Sequence, residues 1–328
     1  MTPTGVVTHF THPSISYPLG ITAGPDGNLW FVNNGNNSIG RITPTGVVTK
    51  YTVPGGYGPN GFTTGPGGTF WYATYSQIGT INFVPGTLFD FNGDGTADRG
   101  VYRTGSWLIS GQTTTFLGVA TDTAVPADYN GDGITDKAVY RNGAWITQGQ
   151  PTVYLGTATD KPVPADYNGD GTADRMIYRP ATGAWLSPTL PTVFFGNATD
   201  IPVPADYNGD GTADRMIYRP TSGGWLSPSF ATVYFGLPTD IPVPADYNGD
   251  GTADRMIYRG ATGAWLSPSL APVFFGNATD KPVPADYDGD RSADRMVYRN
   301  GGWLSPSLSP VYLGIATDTP LTLPTALR

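Results

Sequence analysis

The feature that most constrains this chain is internal repetition. An Asp opening an Asp-x-Asn-Gly-Asp-Gly run stands at 90, 128, 166, 206 and 246, and a sixth copy at 286 reads Asp-Tyr-Asp-Gly-Asp-Arg. The spacings are 38, 38, 40, 40 and 40 residues. The full unit is legible at residues 162–200 as PVPADYNGDGTADRMIYRPATGAWLSPTLPTVFFGNATD. A different unit occurs twice in the first quarter, offset by 41 residues: TPTGVVTHF from Thr2 returns as TPTGVVTKY from Thr43, and GPDGNLWFV from Gly24 as GPGGTFWYA from Gly65. A unit this short cannot bury its apolar face alone and must stack on its neighbours. Four short apolar segments per unit of about 40 residues describe the four-stranded blade of a β-propeller.

In the long unit the four strands read PVPADY, RMIYR, GAWLS and TVFFG, here called a to d. In the N-terminal unit they read LGITAGP, NLWFV, SIGRIT and GVVTKYTV. Two units plus six give eight, and eight units of about 41 residues account for all 328. The expected fold is therefore all-β: a β-propeller of four-stranded blades, eight in number, with six blades plus an appended pair as the alternative. Residues 1–84 hold the first pair and 85–328 the six long units plus a C-terminal strand, read as one continuous propeller. GVVTHF looks like an outer strand without a blade, and the second unit runs from IGTINF into GTLFDF with no outer strand of its own. DTPLTLPTALR resembles the start of a seventh unit, with Pro324 where the loop Asp would stand. Such orphan strands are expected to close the ring of one molecule. The alternative is exchange between copies, giving self-association through terminal strands and a fibre.

Composition narrows the function. With 45 Gly and 31 Pro the chain is poor in helix formers, while 39% apolar and 12% aromatic residues suffice for a core. A formal charge of −8 with 18 basic residues argues against nucleic acid. No run approaches the 18 apolar residues of a membrane span. There is no Cys for disulfides or thiolate metal sites. MTPTGVVTHF has neither the basic nor the apolar region of a signal peptide.

All 26 acidic residues are Asp. Nineteen lie in the six loops, six in the ATD or PTD segments (Asp122, Asp160, Asp200, Asp240, Asp280, Asp318), and Asp26 is left over. The loop pattern D-x-N-x-D-G-x-x-D offers side-chain oxygens at positions 1, 3, 5 and 9 and a carbonyl at position 7, as the first part of an EF-hand loop does. The candidate metal ligands are Asp90, Asn92, Asp94, Thr96 and Asp98; Asp128, Asn130, Asp132, Ile134 and Asp136; Asp166, Asn168, Asp170, Thr172 and Asp174; Asp206, Asn208, Asp210, Thr212 and Asp214; Asp246, Asn248, Asp250, Thr252 and Asp254; and Asp286, Asp288, Asp290, Ser292 and Asp294. Several carboxylates held close together repel unless a divalent ion sits among them. About six Ca²⁺ are expected; Asx-turns capping hairpins are the metal-free alternative. The last loop, with Arg291 in place of the position-6 Gly, is expected to be the weakest or most distorted.

The six long units resemble FG-GAP/VCBS repeats, the calcium-loop blades of integrin-α-like propellers, over roughly residues 85–318. The FG element stands at Phe195-Gly196, Phe235-Gly236 and Phe275-Gly276, with Leu-Gly in the other three units. The resemblance implies a propeller with Ca²⁺ between strands a and b, in an extracellular or cell-surface protein. Residues 1–84 resemble streptogramin B (virginiamycin B) lyase repeats through GPDGNLWFV and IGRITPTG. That chemistry needs a His and acidic residues, including a Glu commonly found after the W-F-T segment. Here Val32-Asn33 follow, the chain has no Glu, and its two His are His9 and His12. No nucleophile–base pair stands out either, so no enzyme activity and no catalytic residue are expected.

Every long unit carries a Tyr-Arg pair ending strand b and one Trp on strand c: Trp107, Trp145, Trp185, Trp225, Trp265 and Trp303. One reading puts the Trp between adjacent blades, with each Arg bonded to the ATD Asp of a neighbour, and recurrence in every unit favours it; the other makes a ring of Trp/Tyr/Arg sites that stack a sugar face or pair a carboxylate. The expected function is a non-catalytic, calcium-binding extracellular propeller serving as a structural, adhesive or ligand-binding module for an unknown glycan or protein. The alternatives are a multivalent lectin that uses the six Trp, and a self-assembling fibre subunit.

Overall fold

The computed structural model describes residues 9–24, 29–42, 48–53, 58–64, 69–82 and 88–322. The chain is an all-β propeller protein. Its described strands form eight antiparallel sheets, seven of four strands and one of three, with a single 3-10 turn at Asn34–Asn36. By compactness it divides into two units, one built mainly on residues 1–85 and the other mainly on 86–328.

In the first unit, Pro18–Ala23, Leu29–Asn33, Ser38–Ile42 and Val48–Thr52 form a four-stranded sheet. Gly61–Thr64, Thr69–Ala73 and Ile78–Asn82 form the three-stranded one. Among the described residues this sheet has no fourth strand, as expected for the second N-terminal repeat, which runs from IGTINF into GTLFDF. Trp30 and Phe70, both fully buried with ring centroids 4.6 Å apart, join the cores of these sheets. The orphan segment GVVTHF lies mostly outside the described residues.

The blades of the second unit share one plan, clear at residues 201–234. Strand a is Ile201–Pro202, b is Ile217–Arg219, c is Gly224–Leu226 and d is Val233–Tyr234. Register sets Ile217 opposite Leu226, Tyr218 opposite Trp225 and Arg219 opposite Gly224. Strand a is far shorter than the expected PVPADY. Pro202 and Pro204 have no N–H to give, so beyond Pro202 the ladder thins to the Val203 N–H donating to the Met216 carbonyl at 2.8 Å and a single bridge, Ala205 to Asp214.

Trp225 has no exposed surface. It lies beside Tyr218 and Tyr207, at centroid distances of 5.4 and 6.4 Å, in a cluster that includes Ile257 of the following blade. Its indole N–H donates to the Phe235 carbonyl at 3.0 Å. Trp107, Trp145, Trp185, Trp265 and Trp303 are equally buried and make the same bond to residues 117, 155, 195, 275 and 313. This corrects the reading of the six Trp as ligand platforms. A ring with no accessible face cannot stack on a sugar; these rings fill the blades and the seams between them.

The six sheets of this unit form a closed cycle. Thr319–Pro320 pairs with Gly100–Arg103, setting Thr319 opposite Tyr102 and Pro320 opposite Val101, and the Leu321 N–H donates to the Gly100 carbonyl at 2.8 Å. The segment that looks like a seventh unit is thus strand a of the unit's first blade. Position 324 lies outside the described residues.

Candidate functional site

Two features repeat around the cycle and position every candidate residue. The first is the loop between strands a and b. In the opening copy, Asp90 accepts from the amides of Gly93 at 2.6 Å and Gly95 at 2.8 Å, so its carboxylate is wrapped by loop backbone. Asn92 accepts from the Asp94 amide, and Asp94 accepts from the amide and hydroxyl of Thr96. Asp98 reaches back to accept from the Phe91 amide and the Asn92 side chain. The pattern recurs at Asp128, Asp206, Asp246 and Asp286. Position 9 is bonded alike at Asp136, Asp174, Asp214, Asp254 and Asp294. Gly at positions 4 and 6 takes the left-handed backbone the turn demands, as at Gly93 (φ 77°) and Gly95 (φ 88°).

Arg291 occupies that left-handed region at φ 75°, and its amide still donates to Asp286 at 3.0 Å. The last loop therefore keeps the shared turn instead of distorting. Asp at position 3 has a further effect there. Asp286, Asp288 and Asp294 bring one carboxylate oxygen each within 4.8 Å of one another, the one such trio of acidic or other metal-binding side chains found among the described residues.

Electrostatics separates the loop positions. Burial, followed by the neighbouring carboxylates, raises the position-9 carboxyls Asp98, Asp214, Asp254 and Asp294 despite their hydrogen bonds, and brings Asp136 up to about 6. The more exposed position-5 carboxyls Asp94, Asp210 and Asp250 are lowered, chiefly by the Thr hydroxyl that donates to each.

The loops are also bonded to one another. The position-8 amide of each donates to the position-1 carbonyl of the loop before it: Thr135 to Asp90, Ala173 to Asp128, Ala213 to Asp166, Ala253 to Asp206, Ala293 to Asp246, and Ala97 back to Asp286, all at 2.6–2.7 Å. In five seams the Arg after position 9 lies over the aromatic ring of the preceding loop, for example Arg255 over Tyr207 at 5.2 Å. The Nε of these Arg has no hydrogen-bond partner, so stacking is the main compensation visible for its burial.

The second feature explains the Tyr-Arg pairs. The connection from strand d of one blade to strand a of the next is held from both sides. Tyr178 donates to the Asn197 carbonyl at 2.5 Å, while Arg219 of the next blade donates twice to Asp200 at 2.8 Å. Asp122, Asp160, Asp240, Asp280 and Asp318 are held by Arg141, Arg179, Arg259, Arg299 and Arg103 in the same way, and the side chain of every one of these Asp is inaccessible to solvent. The last pair joins residue 103 to residue 318 and so locks the cycle.

Sequence reasoning passed over Lys161 and Lys281, which the fold places at an axial cavity. The signal was present: at the residue after the ATD or PTD Asp, two units carry Lys where the others carry Thr or Ile.

Residues 1–93 match the model of the virginiamycin B lyase family. No curated protein sequence matches the chain. Among solved structures, a catalytically inactive virginiamycin B lyase from Staphylococcus aureus with quinupristin aligns at 12% identity, over 95% of this chain and 96% of that one, with a TM-score of 0.35. A streptogramin B lyase structure aligns at 12% identity over 90% and 93%, with a TM-score of 0.34. The extracellular domain attributed to a hybrid two-component system of B. thetaiotaomicron aligns at 13% identity over 88% of this chain and 45% of that one, with a TM-score of 0.37. The family match overturns the expectation that the chain is no enzyme. The segment matching a lyase family includes both histidines, His9 and His12, and the lack of Glu does not outweigh it. Among the described residues no helix is long and apolar enough to cross a membrane.

Proposed function

We propose that the second unit is a calcium-loaded FG-GAP/VCBS-type propeller that works outside the cell as a rigid structural, adhesive or ligand-binding module. The observation that carries this reading is the hydrogen-bonded cycle of six like loops, each with Asp at the same positions, the last bringing three carboxylates together. The donor set fits the ion. It consists of hard oxygens from Asp, Asn and backbone, without sulfur and with no His in the loops. Each ionised carboxylate has about four lone-pair sites, and Asp98 uses two of them on loop donors. Asp90, Asn92, Asp94 and Asp98, the Thr96 carbonyl and their counterparts would hold the ion. Bound calcium would supply the positive charge that the loop carboxylates lack. Calorimetric titration with Ca²⁺ tests the reading: saturable uptake by several sites supports it, and absence of uptake rejects it.

A second reading concerns residues 1–93, where the family match favours lyase-type activity. Incubation with virginiamycin B, followed by mass spectrometry for loss of the intact compound, tests it. An unaltered compound at high protein concentration would reject that activity.

A further inference from the structure

In each of the six sheets of the second unit, strand d is the edge opposite strand a. The a strands of five blades line one axial cavity, so the d strands form the outer rim. On them stand Phe116, Tyr154, Phe194, Tyr234, Phe274 and Tyr312, one ring per blade, each 69–81% exposed. Single apolar residues scattered over a surface need no explanation, but six rings at one register position do. A strand position this open is filled equally well by Thr or Val.

Register gives every ring the same neighbours. Arg219 lies opposite Gly224, and Gly224 opposite Tyr234. Directly opposed side chains share a face of the sheet, so an Arg, a small residue and a ring form one row across strands b, c and d. The other blades repeat the row with Ser106, Ala144, Ala184, Ala264 and Gly302 in the middle. The small middle residue lets the ring lean over it: a Cβ on Gly224 would stand 3.5 Å from Cε1 of Tyr234, and one on Gly302 3.2 Å from Cε1 of Tyr312. Shielding a glycine accounts for those two rings at most, since the other four face Ala or Ser.

The Arg at the head of each row keeps part of its hydrogen-bonding capacity. Its Nε and Nη2 hold the clamp Asp, which leaves the two N–H of Nη1 outside the clamp. The Asp also balances its charge, so the row offers donors without a net charge to draw an anion. A ring face beside such donors suits a molecule with a C–H face and hydroxyl acceptors at its edge. One ring buries at most about 250 Å², against the about 800 Å² that a protein partner covers on each side. Six equal small platforms suit a ligand that itself repeats.

We propose that the rim of the second unit binds neutral polysaccharide, each platform taking one sugar ring, with the C–H face on the aromatic ring and a hydroxyl accepting from Nη1 of the Arg. This gives a ligand class to the ligand-binding form of the reading above and rests on that form, not on calcium. Affinity electrophoresis of the full chain through gels containing β-glucan, xylan, galactomannan or dextran, with hyaluronan as the charged control, tests it. At least one neutral polysaccharide should retard the chain, and hyaluronan should not. Replacing three adjacent rings together, Phe194→Thr, Tyr234→Thr and Phe274→Thr, should weaken the retardation by about tenfold or more as avidity is lost, while Tyr234→Phe should keep it. Tyr75→Thr, which removes an equally exposed ring from the first unit, should change nothing. Melting curves check folding, and each single Thr variant should give a smaller loss in the same direction. Repeating the gels in chelator, beside the calcium titration, separates the two readings: retardation without calcium uptake rejects the calcium alone, and uptake without retardation rejects the polysaccharide alone. Free migration in all four gels, equal retardation by hyaluronan, or a folded triple variant that binds as the parent does would overturn the proposal. So would sedimentation showing that the rings join copies of the chain while no polysaccharide binds.

Discussion

Asp122 shows what one residue carries in the cycle. Its carboxylate is fully buried and takes two hydrogen bonds from Arg141, at 2.6 and 2.7 Å. Removing Arg141 leaves a buried charge without its counterion, whereas removing both charges leaves a gap that water or packing can fill. Arg141→Met should lower stability by leaving the buried Asp122 carboxylate without its counterion, with Asp122→Asn added to it recovering part of the loss. Urea unfolding measures both; an Arg141→Met midpoint indistinguishable from the parent would put the clamp with ordinary surface pairs. The clamp also has a pH signature. Burial by itself would raise Asp160 and Asp318, but the bonds from Arg179 and Arg103 outweigh it and hold both below the ordinary carboxylate value. An acid lowered in the folded state contributes stability above its unfolded pKa and loses it as pH falls through the folded one. The clamps should therefore fail below about pH 4, seen as a late acid transition in Trp fluorescence. Arg291 is the opposite kind of residue, a side chain where the turn wants Gly. Arg291→Gly should relieve about 1 kcal/mol of backbone strain, read from the unfolding of chelated protein, and an unchanged or lowered stability would show that its side-chain contacts offset the strain.

At the scale of the element, the closing strand is the sharpest test of architecture. Thr319–Pro320 contributes few ladder bonds, yet it completes the first sheet of the cycle, and Asp318 supplies the final clamp. Ending the chain at Gly314 should open the seam between residues 100 and 320 and lower the melting temperature far more than the loss of a terminal tail would. Differential scanning calorimetry decides, and an unchanged transition would mean the cycle does not rely on that seam. Much of this was legible in the sequence, because period and turn chemistry are local: the loop Gly, the Trp of strand c and the unit lengths all report directly on the fold. Strand a was misread because its two prolines thin the ladder while leaving the apolar alternation intact. The role of Tyr178 and Arg219 was half legible. The bond from Arg219 to the Asp of a neighbouring blade was readable from recurrence, but that Tyr178 grips the same connection from the other side depends on packing between units. The axial cavity was invisible, since it exists only once strands from five blades converge, and Lys161 and Lys281 are 120 residues apart in the chain.

At the scale of the whole molecule, charge is the quantity to follow. Six Ca²⁺ would bring twelve positive charges to a chain of formal charge −8, and the loops they would occupy are joined by backbone bonds around the second unit. Extracellular calcium modules bind with dissociation constants of about 10⁻⁴–10⁻³ M, so millimolar calcium would contribute on the order of 1 kcal/mol per site by linkage. Chelation should lower the melting temperature substantially, and Mg²⁺ should restore little of it, because that ion demands a tighter octahedron. Without the ion, the carboxyls at position 9 should dominate the response to pH. Asp136 is up at about 6, with burial the first cause and Asp132 and Asp128 contributing. An acid raised in the folded state adds stability when protonated and loses that contribution as pH rises through the folded pKa. The chelated protein should thus be more stable near pH 5 than at pH 7, while the clamps still hold above pH 4. Calcium should reverse the order, since the ion needs these carboxylates ionised and competes with the proton. Melting curves at the two pH values, with and without chelator, test the crossing. If the protein in chelator and the protein in calcium share one pH profile, the carboxylates of the loops are not binding the ion.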